Sequence, residues 1–250
     1  MLLHRLIITA LLLPAAAHAA VVKVCAEAWP PFLYRDDAGR VAGMAASWIE
    51  QAANKQHLRV QYQFLSLQAC RKLAASGGAD ALAFTPNKEQ LEGWLLTKRP
   101  MVFWVLSAMV PYHSPHKAFT GLSQFSGLRV GWGQHYRYPD RLALQRDWSR
   151  VEAYDADGLF TLLMRNKIDV VFDDERYVAS SLPLQSRRQM RVLRPVAASM
   201  QQPVAVRPGL ANFAQALDKE ALRWQRSGQL DRFYRQQYGS SLAAIQAVGD

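Results

Sequence analysis

The sequence predicts an α/β protein made of two similar lobes with a cleft between them, and three observations carry this. One phrase occurs twice: residues 69–84 (ACRKLAASGGADALAF) and residues 159–174 (LFTLLMRNKIDVVFDD) each run from a helical stretch through a tight turn to a single Asp, Asp80 or Asp169, and then to a short apolar strand. An apolar run of that length, bounded by turn signals after a helix, reads as a buried parallel strand. Each copy is preceded by the order strand, helix, strand, the start of a doubly wound sheet. Late in the chain, residues 202–207 read as a strand returning to the first lobe. Open α/β sheets bind ligands beyond the carboxyl ends of their strands, and two lobes with a cleft between them make a common binding architecture.

The chain opens with a basic Arg5, an apolar run over residues 6–13 and the small-residue ending Ala17-His18-Ala19. This is the pattern of a secretory signal cleaved after Ala19, which sends the mature protein to the periplasm. The apolar run is too short for a membrane anchor, which needs about 20 residues of helix. Cys25 follows Val22-Lys23-Val24, which lacks the small residues a lipid-attachment site needs before its Cys.

The mature chain begins with a strand over 21–26, then the aromatic loop Trp29-Pro30-Pro31-Phe32 and a turn at Asp36-Asp37-Ala38-Gly39. A helix over 44–56 carries Trp48, Ile49 and Ala52 on one stripe, and a strand over 59–64 follows. After the first copy of the repeat come Thr85-Pro86-Asn87-Lys88, an apolar stretch over 101–110 that carries the chain out of the first lobe, and a loop over 111–120. The second lobe restarts with a strand over 128–132 and the polar aromatic turn Gly133-Gln134-His135-Tyr136-Arg137-Tyr138. A helix over 140–148, a strand over 151–154 and the second copy complete it, and a further strand spans 191–195. Residues 210–238 read as two amphipathic helices broken at Ser227-Gly228.

Composition narrows the function. Without Arg5 of the signal the net charge is about +9, spread along the chain with no recognition motif, so nucleic-acid binding is not expected. Cys25 and Cys70 are the two cysteines, and in an oxidising compartment an even pair is expected to bridge, the alternative being two buried free thiols. Closing that loop stabilises by about 4 kcal/mol in the chain-entropy picture. His113 and His116 fall in a proline-rich loop without acidic or Cys company and read as surface histidines, so no metal or other cofactor is expected. Nucleophile elbows and phosphate loops are absent from the sequence.

The chain resembles bacterial extracytoplasmic solute-binding proteins of family 3, which serve polar amino acid ABC transporters. The matching phrases are Trp29-Pro30-Pro31-Phe32 followed by Gly39 and Val41-Ala42-Gly43, then residues 70–80, Leu128-Arg129-Val130-Gly131 and residues 162–174. They continue with Pro203-Val204-Ala205-Val206-Arg207, Leu217, Gly228 and residues 234–239, in order and with spacing kept over nearly the whole mature chain. The resemblance implies a two-lobed periplasmic binding protein-like (type II) fold with two hinge strands. The first lobe would be residues 20–109 plus 202–250 and the second residues 110–201. It implies a monomer that captures a small polar solute, an amino acid or a related molecule, in the cleft and delivers it to the membrane permease of an ABC importer. A stand-alone sensory or partner-binding protein on the same fold is the alternative. An enzyme akin to periplasmic cyclohexadienyl dehydratases ranks last, with Asp174 or His135 as proton carrier.

The resemblance also distributes roles. Trp29 stands where relatives place a stacking aromatic, Leu67 where another wall residue falls, and Phe32 could complete the wall. Asp174 matches the carboxylate that receives the ligand's amino group, with Asp173 as a second candidate, and Thr85 matches a hydroxyl that helps hold the ligand carboxylate. Two departures stand out. Relatives carry Thr-x-x-Arg where this chain has Thr85-Pro86-Asn87-Lys88, and counting from Asp80 puts Leu91 in the Arg position, so the grip is either a Lys point charge or gone. Where relatives have Gly followed by Thr or Tyr, this chain has His135-Tyr136; the two departures weaken the amino acid assignment and leave solute binding in place, with a different organic anion or an aromatic solute stacked on Trp29 and Tyr136 as the alternative.

Overall fold

The computed structural model describes residues 19–85 and 92–249. Most of the expected signal, residues 1–18, and the segment 86–91 with Lys88 and Leu91 lie outside the described residues.

The first strand, β1 (Ala20–Ala26), buries Val22, Val24, Cys25 and Ala26. A small hairpin, β2 (Tyr34–Arg35) and β3 (Val41–Ala42), turns on the Asp36 carboxylate, which accepts the Ala38 and Arg40 N–H groups. Helix α1 (Met44–Asn54) buries Trp48, Ile49 and Ala52, the stripe the periodicity predicts, and the Trp48 indole donates to the Leu217 carbonyl at 2.9 Å. It is preceded by Gly43, whose φ is 113° and where a Cβ would lie 2.2 Å from the Phe32 carbonyl oxygen. Gly43→Ala is therefore expected to lower stability by about 2 kcal/mol in urea denaturation. Gly39→Ala, at φ 75° with open space around it, should cost about half as much, and equal losses would show that the close approach at Gly43 relaxes freely.

Strand β4 (Leu58–Phe64) follows, then α2 (Leu67–Ala75), whose N-cap Ser66 accepts from the Ala69 N–H, then β5 (Ala81–Ala83) and β6 (Leu95–Leu96). The chain continues through β7 (Phe103–Pro111), β8 (Arg129–Gly133), α3 (Asp140–Ala143) and β9 (Ser149–Ala153). The second copy of the repeat forms α4 (Ala156–Met164), capped by Asp155, and β10 (Val170–Asp173). Then come α5 (Glu175–Ser181), α6 (Leu184–Arg187), β11 (Met190–Val192), β12 (Ala198–Gln201) and β13 (Ala205–Val206). Helices α7 (Ala211–Arg226), α8 (Gln229–Tyr238) and α9 (Leu242–Gln246) complete the chain, with Gly228 left-handed at φ 71° between the first two.

These elements make two sheets. The first runs β4-β1-β5-β13-β6, with β1 parallel to β4 and β5 and with β13 antiparallel to β5 and β6. The second runs β11-β7-β10-β8-β9, parallel across β10, β8 and β9. The chain passes between the sheets along β7 and β12, which pair antiparallel from Phe103 with Gln201 to Leu106 with Ala198, while from Ser107 onward β7 pairs with β10. Both sheets are covered on two faces. In the first, α1, α7 and α8 bury one face and α2 with Cys25, Cys70 and Leu82 the other. In the second, Val170 and Phe172 of β10 point into one core and Val171 into the other, which is why that strand is an unbroken apolar run.

The two copies of the repeat meet their neighbouring strands in the same way. The Asp80 N–H donates to the Lys23 carbonyl while the Lys23 N–H donates to the Asp80 carboxylate, both at 2.8 Å, and Arg207 closes an ion pair at 2.7 Å. The Asp169 N–H donates to the Arg129 carbonyl at 2.8 Å and the Arg129 N–H to the Asp169 carboxylate at 2.9 Å, with the Arg129 guanidinium as the cation. Hydrogen bonding to Arg129 holds the Asp169 carboxyl below its ordinary range.

Several elements differ from expectation, and β6, α5 and α6 have no counterpart in it. The helix over 140–148 stops at Ala143, because Trp148 is drawn into the core and stacks on Phe172 at 5.3 Å, leaving the chain extended into β9. Of the return expected over 202–207 only β13 (Ala205–Val206) is strand; β12 ends at Gln201, and Pro203, which has no N–H to give a ladder, lies between them. The five-residue α9 is an additional helix, too short to show a period in the sequence.

Candidate functional site

A cleft enclosing about 150 Å³ opens where the two sheets face each other. Its walls come from the carboxyl ends of parallel strands: Glu27, Ala28 and Trp29 follow β1, Phe84 follows β5, His135, Tyr136 and Arg137 follow β8, and Asp173 and Asp174 end β10. The first turns of α2 add Leu67 and Arg71, and the crossing strand β7 adds Trp104.

The Trp29–Leu33 turn decides which aromatic faces the cleft. The Phe32 and Leu33 N–H groups both donate to the Trp29 carbonyl, which leaves Trp29 half-buried at the cleft and turns Phe32 inward. Phe32 is fully buried against Phe233, Tyr234 and Tyr238 and supports Trp29 edge-on at 5.1 Å, so it backs the wall instead of forming it. Thr85 is likewise fully buried away from the lining; its N–H donates to the Pro203 carbonyl at 3.0 Å, tying the chain after β5 to the segment before β13. Leu67, His135, Tyr136, Asp173 and Asp174 join Trp29 around the cleft, with His135 at the exposed rim against Tyr154.

Each carboxylate of the pair is held by a different tryptophan. Asp174 accepts from the Trp29 indole at 3.0 Å and the Tyr238 hydroxyl at 2.9 Å on one oxygen, and caps α5 through the Arg176 N–H at 2.8 Å on the other. Trp29 and Tyr238 belong to the first lobe and Asp174 to the second, so this carboxylate is a latch across the cleft. Asp173 accepts from the Trp104 indole at 3.2 Å and the Asp174 N–H at 2.8 Å, both on Oδ1. Its Oδ2 is buried and has no partner.

Burial raises both acids: Asp173 is pushed up to about 6 and Asp174 to about 7, each held back by its donors. Partial loss of water also raises Glu27 at the cleft mouth, and burial carries the Tyr136 phenol well above its usual range. The cations that sequence reasoning missed are Arg71 and Arg137. Arg71 follows Cys70, and the bridge between Cys25 and Cys70 fixes the start of α2 against the end of β1, which excludes the alternative of free thiols. Arg137 lies inside the quoted 133–138 turn. Neither spacing announces a ligand, because both depend on where a helix or a loop meets the opposite lobe. Among the described residues no group of His, Cys, Asp and Glu could hold a metal.

Two α/β lobes joined by paired crossing strands, with a polar cleft at the strand ends, define a two-lobed ligand-binding protein. Residues 22–240 match the family of bacterial extracellular solute-binding proteins, family 3, and the chain belongs to it. It is thus an exported solute-binding protein and not an enzyme. Solved structures of the same fold include the probable amino-acid ABC transporter extracellular-binding protein ytmK from Bacillus subtilis, at 14% identity and TM-score 0.70 over 89% of this chain and 99% of that one. An ancestral arginine-binding protein bound to arginine is similar at 17% identity and TM-score 0.64 over 89% and 100% of the two chains. Holo ArgBP from T. maritima follows at 13% identity and TM-score 0.63 over 86% and 96%. No curated protein is similar enough to match.

Proposed function

We propose that this protein captures a small solute bearing an ammonium or guanidinium group in the cleft and delivers it to the permease of an ABC importer. The observation that carries the reading is the buried, unpartnered Oδ2 of Asp173, a residue that lines a cleft walled by Trp29, Trp104 and Tyr136. A buried acceptor without a donor costs free energy that a cationic donor recovers, and a charge-assisted bond there is about twice as strong as a neutral one. Asp173 thus takes the ligand role first given to Asp174, and Asp174 serves as the latch. Arg71 and Arg137 supply positive charge for a carboxylate in place of the family's Arg. Residues 20–109 with 202–250 move as one body and 110–201 as the other, closing about β7 and β12.

The test is a thermal-shift panel on residues 20–250 with amino acids, opines, organic acids and aromatic acids. Arginine and glutamine lead the panel, since ancestral proteins of this fold were solved with each. Ligand at 100 times its dissociation constant adds about 2.7 kcal/mol to stability. A hit among amino compounds, abolished in Asp173→Asn, is the expected result; hits confined to solutes lacking a cationic group would overturn the assignment.

A further inference from the structure

We propose that the protein holds a tetrahedral oxyanion of the phosphate or sulfate class at a second site, behind the cleft, where Arg176, Arg187 and Gln237 meet. The site is a space of about 720 Å³ between α5, the end of α6 and β11 on one side and the end of α8 on the other. Three of the side chains that line it each carry a buried polar atom with no hydrogen-bond partner: Arg176 Nε, Arg187 Nε and Gln237 Oε1. Folded proteins leave few such atoms, and each costs free energy when water is excluded. Three of the residues that carry such atoms line this one space, two of them arginines, which suits a site that an anion completes.

The chemistry of that partner follows from charge and shape. Arg194 also lines the space but is tied to Glu175, so this pair is internally neutral and the net charge of +2 comes from Arg176 and Arg187. A guanidinium presents a planar fork of donors that matches paired oxygens, and two arginines lining one space suit an ion with more than two oxygens. A tetrahedral oxyanion meets both at once, whereas a single carboxylate satisfies one. Turning the Gln237 side-chain amide by half a rotation exchanges its oxygen for its NH2 and adds a donor from the first lobe. The site is separate from the solute cleft. Tyr238 walls it, and the hydroxyl of that residue donates to Asp174, so the anion sits behind the latch and touches both lobes.

The experiment uses the mature protein and inorganic phosphate and sulfate, compared with sodium chloride at equal ionic strength to remove general screening. Phosphate or sulfate is expected to raise the melting temperature of the wild type by a few degrees over chloride. Calorimetric titration should then give an affinity that falls about tenfold or more in Arg176→Met/Arg187→Met, consistent with lost charge-assisted bonds. Asp173→Asn should keep the full phosphate effect, because the cleft carboxylate takes no part. A wild-type response no greater than that to chloride overturns the proposal without any variant. An equal response in the double arginine variant overturns it too, as does loss of the response in Asp173→Asn.

Discussion

Asp173→Asn is expected to be more stable than the wild type at pH 8 and to lose that advantage by pH 4. The Asp173 carboxyl ordinarily titrates near 3.8 and is pushed up to about 6 by burial. Between those values the folded chain holds more protons than the unfolded chain, so this group's contribution is most favourable below the unfolded value and is lost as pH rises through the folded one. The loss is at most about 3 kcal/mol above pH 6, at about 1.4 kcal/mol per pH unit. Asn keeps the oxygen that accepts from Trp104 and the Asp174 N–H and replaces the unpartnered charged oxygen with a neutral group. Removing the neighbouring charge also lets Asp174 ionise more readily. Urea denaturation of both proteins at pH 4 and pH 8 isolates the difference from the other carboxylates, and equal stabilities at pH 8 would refute it. The same variant should lose the cationic solute, so stability and binding move in opposite directions.

Removing the disulfide is expected to have a comparably large effect of opposite sign. The bridge closes a separation of 45 residues and lies in the fully buried face beneath α2. The double variant Cys25→Ser/Cys70→Ser should lose about 4 kcal/mol by loop entropy, a fall in melting temperature of about 8–16 °C for a chain of this size. Reductant should bring the wild type to the same midpoint and leave the variant unmoved. An unchanged midpoint in the variant would mean that packing around Leu82 and Ala205 alone holds α2 in place. Because α2 carries Leu67 and Arg71 into the cleft, the reduced protein should also bind its solute more weakly.

Local pattern made the fold legible. The two repeat units, the Trp48 stripe and the break at Gly228 all express a period or a backbone preference contained within a dozen residues. Misses came where distant contacts override such preference, as when Trp148 leaves a helical path for Phe172. The site was legible in part for the same reason. Strand ends deliver Trp29, Tyr136 and the Asp pair to one place, and that follows from topology. Which member of the pair keeps an open oxygen was not legible, because it is decided by Trp29, Trp104 and Tyr238, separated from the pair by 145, 69 and 64 residues. Phe32 and Trp29 are both aromatic and three apart, and only the turn between them distinguishes wall from support.

The paired bonds that Asp80 and Asp169 make with Lys23 and Arg129 have a consequence at the far end of the strands they start. A parallel pair has no turn to set its phase, and a slip by one residue moves every side chain about 3.3 Å and onto the opposite face. Each Asp makes such a slip expensive, since it would forfeit one backbone–backbone bond and one backbone–carboxylate bond and misplace a carboxylate beside its arginine. Phase fixed at the amino end is read out at the carboxyl end, where one strand delivers Phe84 and the other delivers Asp173. These two aspartates do not line the cleft, yet they act as index marks that determine which atoms do.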